Sequence, residues 1–182
     1  MQILTPSDFK KTEWKNGKGT TVELVRFPES SSLTDFDLRI SIADINEDGG
    51  FSFFNGYKRY ISVLEGKYFL LSHNNSPYFK LKQFEIHEFS GSDSTFCKVD
   101  GQHVKDFNVI ISEKMSQRVT VYFNPEINKI QLKSDCFLYL VRGSIETEIK
   151  ELILPGNLIH LNGSELRKLK LREANFFLVE II

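Results

Sequence analysis

DLRISIAD, residues 37–44, carries the alternation that decides the fold: Leu38, Ile40 and Ile42 fall on one side of an extended chain, and Arg39, Ser41 and Ala43 on the other. Thr21 and Glu23 alternate with Val22 and Leu24 in the same manner. Working outward, β-rich runs recur as RYISVL, KYFLLS, FEIHEF, FNVIIS, RVTVYF, CFLYLV, SIETEI, NLIHL and FFLVEII, separated by Gly, Asn, Asp and Pro turn signals. Sustained 3.6-residue periodicity is hard to find, and so many short strands predict an all-β sandwich or barrel. A helical turn or two is expected only at PSDFKKTEW, residues 6–14, with Ser7 or Asp8 as cap. FPESSSLTDFD, residues 27–37, reads as a surface loop between two strands.

At 182 residues the chain can bury roughly 70% of its unfolded surface, enough for a sizeable core. Sixteen Phe and six Tyr beside one Trp supply flat, bulky groups suited to packing between sheets. Lys and Arg number 23 against 24 Asp and Glu, a net charge of -1, so neither nucleic acid nor an anionic membrane is an expected partner. No apolar stretch approaches membrane-spanning length and the N-terminus lacks a signal-peptide pattern, so a cytoplasmic location is expected. Cys97 and Cys136 lie far apart without ligand spacing, and two buried free thiols are expected. Asn74 and Asn162 stand in N-x-S triplets, read as accidents of composition.

A weak internal repeat runs through the chain. YISVLEGKYFLL around Gly66 has the shape of FLYLVRGSIETEI around Gly143, and IHEFSG ending at Gly91 is matched by IHLNG ending at Gly163. Hairpins in any β protein share that shape, so the repeat alone leaves one sandwich and two fused halves equally open. Four ordered motifs carry more. They are WKNGKGTT with Trp14, Asn16, Gly17, Gly19 and Thr21; RISIADI with Arg39, Ser41, Ile42 and Ala43; DGGFSFFNGYKRY with Asp48, Gly49, Phe51, Ser52 and Arg59; and Asp106, Phe107 and Asn108. In these the chain resembles the HutD/Ves family of bacterial proteins, well over its first two thirds and through LPGNLIHL thereafter. Lys18 stands where a third glycine is common in that family, and Arg118 comes late after the Asp106–Phe107–Asn108 motif.

The resemblance implies an all-β double cupin: two fused antiparallel β-barrels or sandwiches, jelly-roll-like, in one bicupin unit of residues 1–182. Its halves are expected at 1–112 and 113–182, intimately packed, with strand exchange through the first and last strands. FFLVEII is expected as a central or dimer-edge strand, and an exposed apolar strand would make a homodimer. The stretch holding Phe51, Phe53 and Phe54 is expected to pin onto the core.

Cupins commonly hold a divalent metal through a close histidine pair, a carboxylate and a third histidine. This chain has only His73, His87, His103 and His160, with no HxH pair, so structural or surface histidines and no metal or other cofactor are expected. No G-x-S-x-G elbow or complete phosphate-loop pattern is present. What remains is a polar strand face. Arg39 leads, because a guanidinium inside a cup grips a carboxylate with two parallel hydrogen bonds. Glu23 would orient it, Trp14 would wall the hollow, and Asn16, Thr21, Ser41, Arg59, Asp106 and Asn108 complete the candidate set. The competing reading makes Arg39 and Glu23 a cross-strand ion pair on a solvated face, and Asn16, Asp106 and Asn108 turn formers. The binding reading requires the Arg39 guanidinium to face an enclosed hollow bordered by the Trp14 indole.

For function, the resemblance implies a metal-independent sensor of a small acidic metabolite, an acylated acidic amino acid such as N-formylglutamate, linked to histidine utilisation. The Ves branch implies a stress-associated role instead. A metal-independent isomerase or hydrolase using Glu23 or Asp106 as general base is the rival from another class, and a protein-binding module the third.

Overall fold

The computed structural model describes residues 1–14, 17, 19–124 and 135–181. Two compact units form, one from Lys10–Ser116 and one from Met1–Phe9 with Gln117–Ile182. The chain begins with β1 (Gln2–Leu4), which belongs to the second unit. The first unit is built by β2 (Lys10–Glu13), β3 (Gly19–Phe27), β4 (Leu38–Ile45), β5 (Gly49–Gly50), β6 (Tyr57–Glu65), β7 (Tyr68–His73), β8 (Phe79–Lys82), β9 (Ile86–Ser90), β10 (Thr95–Lys98) and β11 (Val104–Ser112). The second is completed by β12 (Val119–Phe123), β13 (Asp135–Glu146), β14 (Leu152–Ile153), β15 (Leu158–Asn162), α1 (Gly163–Leu166) and β16 (Lys170–Ile181). The chain leaves the first unit after Ser116, and the first nine residues go with the C-terminal unit.

In the first unit, a sheet of order β2-β3-β4-β11-β6-β9 faces a smaller one of order β5-β10-β7-β8. Ala43, Ile45, Ile61 and Val63 from the larger sheet and Phe69, Leu71, Leu81 and Cys97 from the smaller one form a single core between them. Each large side chain buried there contributes about 1.5–3 kcal/mol. The chain passes from one sheet to the other at Gly66, whose φ of +102° and whose contact with the His103 carbonyl, 3.2 Å from where a Cβ would sit, both call for glycine.

In the second unit the sheet order is β1-β15-β13-β16-β12, with β14 paired to β13. Its core is aliphatic and aromatic: Leu138, Leu140, Ile159, Leu161, Phe176 and Leu178, joined by Leu166 from α1. Gly143, at φ +77°, lies inside β13 at the second of two register shifts, so the strand bends there. The Gly66 turn thus has its counterpart in a kink. α1 is set by a capping box, in which Asn162 Oδ1 accepts from the Ser164 and Glu165 amides and Glu165 Oε2 accepts from the Asn162 amide. That is the role of the second N-x-S triplet.

Two expectations are corrected. Residues 6–14 form no helix: the Asp8 carboxylate accepts from the Thr5 amide and hydroxyl to close a turn, and Lys10–Glu13 then pairs with β3. Phe53 does not pin its loop, being 60% exposed. Of the two places expected for FFLVEII it takes the central one, since β16 is flanked by β13 and β12.

Candidate functional site

Directly opposed residues of antiparallel strands share a face, and three such rows cross the large sheet of the first unit. They are Thr21–Ala43–Asp106–Val63, Glu23–Ser41–Asn108–Ile61–His87 and Arg26–Arg39–Ile110–Arg59–Phe89. Ala43, Ile61, Val63 and Phe89 belong to the core between the sheets, so this is the inward face. The polar side of RISIADI thus looks into the cup, and Leu38 and Ile40 are buried on the opposite face.

Arg39 and Glu23 do form a cross-strand ion pair, Nε to Oε2 at 2.7 Å, but on the inward face rather than a solvated one. Glu23 Oε1 also lies 3.3 Å from Arg26 Nε. Arg26 was hidden from period-2 reading, which places it with Val22 and Leu24. A register shift between Glu23 and Val25 adds one residue to β3 and turns Arg26 onto the inward face opposite Arg39.

Arg59 lies deeper, 5% exposed, with its guanidinium carbon 5.2 Å from the centroid of Phe51, 5.6 Å from Phe54 and 4.9 Å from Phe89. Lys58, its neighbour, points away to pair with Glu88. Arg59 Nη1 donates to the Ser52 carbonyl at 3.2 Å, but its Nε has no partner. Asp106 accepts from the Ala43 amide and senses the Arg59 charge without forming a direct ion pair with it. Burial pushes the Asp106 carboxyl up to about 7, against the pull of Arg59 and the Ala43 amide. Burial likewise draws Arg59 down to about 10, with Asp106 opposing and Arg39 assisting, so it stays cationic at neutral pH. Asn108, also 5% exposed, has an unpartnered Oδ1. A buried donor and a buried acceptor left unmatched on one face are what a polar ligand would satisfy.

Trp14 packs on the same core but donates its indole N–H to Thr21 Oγ1 at 2.8 Å. Thr21 stands opposite Ala43, two rows from Arg39. Ser41 is buried in the Glu23 row. Asn16 lies outside the described residues.

The cup holds one pair that sequence reading passed over. His73 Nε2 lies 2.9 Å from His87 Nε2, and His73 Nδ1 lies 2.8 Å from Thr95 Oγ1. The two histidines are fourteen residues apart on β7 and β9 of opposing sheets, a proximity that no local spacing signals. His103 pairs with Asp44 at the surface, and His160 stacks on Phe137 in the second unit. Among the described residues no three His, Cys, Asp or Glu side chains converge as metal ligands. Cys97 and Cys136 are free and buried, and burial raises both thiols, Cys136 to about 12. No helix among the described residues is long and apolar enough to cross a membrane.

A family model described as HutD matches residues 6–178. The chain is 33% identical over 187 residues to a 21.2 kDa protein in the hutC 3′ region of Pseudomonas putida, covering 100% of this chain and 97% of that one. It is 37% identical over 98 residues to protein Ves of Escherichia fergusonii, spanning 53% of this chain and 50% of Ves. HutD from Pseudomonas fluorescens SBW25, solved in a formate condition, superposes with a TM-score of 0.75 at 25% identity over 98% of this chain and 96% of that one. A cupin 2 conserved barrel domain protein from Leptotrichia buccalis superposes with a TM-score of 0.56 at 7% identity, over 95% and 96% of the two chains, and shares the fold.

Proposed function

The chain belongs to the HutD family, and from that premise we propose that it binds a small carboxylic acid inside the cup of Lys10–Ser116, without a metal. The observation that carries this reading is Arg59: a guanidinium buried among three aromatic rings, with an unmatched Nε, no carboxylate of the described residues in an ion pair with it, and an unmatched Asn108 Oδ1 on the same face. Arg39 is the second cation, its Nε held by Glu23. The lead role therefore passes from Arg39 to Arg59. Each charge-assisted bond to a carboxylate is worth about 1.5–3 kcal/mol once water is excluded. Glu23, Arg26 and Ser41 orient the second cation, and Trp14 and Thr21 brace the far row.

The ligand we propose is an acylated acidic amino acid such as N-formylglutamate, and the role a sensor in histidine utilisation. Family membership, the Pseudomonas putida relative in the hutC 3′ region and the fit of an amide to Asn108 support it. Calorimetric titration with N-formylglutamate, glutamate and formate tests the reading. Saturable heat with wild type, reduced at least ~10-fold in affinity by Arg59→Gln, is expected, since one lost charged bond costs about 1.4 kcal/mol or more. No heat and no thermal shift at millimolar ligand would overturn it.

Asp106 favours a second reading. A carboxyl held near neutrality by burial is suited to general acid–base work, whereas Glu23 is engaged by two arginines. Slow turnover of N-formylglutamate, abolished in Asp106→Asn with binding retained, would establish an enzyme. Its absence would leave the binding protein.

A further inference from the structure

We propose that His73 and His87 share one proton between their Nε2 atoms and form a second subsite of the same cup, which gains a proton when a carboxylate binds at Arg59. This rests on the binding reading above. The two Nε2 atoms are 2.9 Å apart while the ring centroids are 5.0 Å apart, with planes only 19° from parallel. Each ring therefore meets the other end-on, nitrogen to nitrogen, as in a hydrogen bond, so one nitrogen carries the hydrogen and the other accepts it. Thr95 fixes His73 from behind at Nδ1, and Phe79 and Phe89 pack against both rings, with centroid distances of 4.6–5.8 Å. Two imidazoles alone do not complete a metal's coordination sphere, and no third ligand of that kind joins them among the described residues.

His87 shares a row with Asn108, two strands away, a backbone separation on the order of 10 Å. The Phe89 ring contacts both Arg59 and His73, at centroid distances of 4.9 Å and 4.8 Å. The guanidinium and the imidazole pair are thus near neighbours, within reach of the two ends of a small acid. Thr95, which holds His73, also lines a pocket of about 270 Å³ walled by Phe53, Tyr78 and Phe96.

The charges around the pair set the direction of linkage. Burial holds both imidazoles below their usual range; Arg59 adds to this for His73, and His73 for His87. Asp93 and Glu88 pull the other way. A carboxylate on Arg59 cancels the cation that disfavours a second one, so the pair's proton affinity rises on binding. Reciprocally, affinity for the acid rises as pH falls through the weakly acidic range.

The test has a ligand-free arm and a ligand arm. In the free protein, ¹⁵N-detected NMR is expected to show the two Nε2 atoms sharing one hydrogen and a first protonation that both rings report together. Two independent titrations at ordinary values overturn the inference whatever binds. Calorimetry with formate and with N-formylglutamate, in two buffers of different ionisation heat, is expected to show uptake of up to one proton per ligand. His87→Gln should abolish the uptake and flatten the rise of affinity as pH falls through the weakly acidic range. Binding without uptake sinks this inference alone. Failure of both acids to bind, with the shared-proton signature intact, sinks the linkage together with the binding reading.

Discussion

Arg59 is a charge withdrawn from water, felt by Asp106 but held in no ion pair among the described residues. Removing a buried cation that lacks a close partner relieves desolvation, and an apolar chain of similar length keeps contact with the three rings. Arg59→Met is therefore expected to change stability by no more than ~1 kcal/mol at about pH 6, the scale of the cation–π contacts it gives up. There Asp106, held up to about 7, largely keeps its proton and does not become a lone buried anion. Carboxylate binding should vanish in the same variant. Paired thermal melts and calorimetric titrations check this; a stability loss of several kcal/mol would show that Arg59 holds the fold rather than a ligand. At this scale the sequence disclosed part of the candidate site. Arg39 and Ser41 sit on a strand whose alternation gave their facing, and Asp106 and Asn108 were reached only through the family resemblance, whereas Arg26 was lost to one extra residue in β3 and the histidine pair to a contact between two sheets.

Among elements, the segment between β5 and β6 governs the cup, because it brings Phe51 and Phe54 over Arg59. Gly91, directly after β9, holds that segment: its amide donates to the Tyr57 carbonyl at 2.7 Å, and its carbonyl accepts from the Phe54 amide at 2.8 Å. A Cβ at Gly91 would lie 2.3 Å from the Phe54 carbonyl and 2.8 Å from that of Tyr57, both backbone atoms that cannot swing aside. Gly91→Ala is expected to push the segment outward, costing about 2 kcal/mol or more of stability and weakening acid binding at least tenfold, although residue 91 faces no ligand. Denaturant melts and titration on one preparation would show it; an unaltered affinity would mean that the aromatic cradle is dispensable. Strand elements were legible because period 2 persists in most of them. β2 was not: its KKTE is exposed throughout and strand-forming only through pairing with β3, so local preference read it as the end of a helix. α1 was missed for the opposite reason, since a four-residue helix has no periodicity and announces itself only by the Asn162–Glu165 capping box.

For the molecule as a whole, the two units differ in what they bury. The second has a core of aliphatic and aromatic side chains plus Leu166 of α1, with Glu180 buried beside it, while the first keeps arginine, carboxylate and imidazole groups inside its cup. Those buried titratable groups dictate how stability varies with pH. Asp106 has a folded value raised to about 7 from 3.8, so its contribution is full below 3.8 and is lost as pH rises through 7. Glu180, raised by burial in the second unit, acts in the same direction from 4.5 upward. His73 and His87 are lowered from 6.5, so they favour the folded state above 6.5 and cease to do so as pH falls below it. The opposing slopes predict a melting temperature that peaks in the weakly acidic to neutral range and falls on both sides. Asp106→Asn retains an Oδ1 for the Ala43 amide and removes the titration, so it should flatten the decline between about pH 6 and 8 while leaving the acid limb in place. His73→Gln should soften the fall just below 6.5 and leave the alkaline limb unchanged. Calorimetric scans of the three proteins across that range decide the matter: an alkaline limb that persists in Asp106→Asn would mean that the carboxyl in the cup is ionised at little cost and that another group sets the decline.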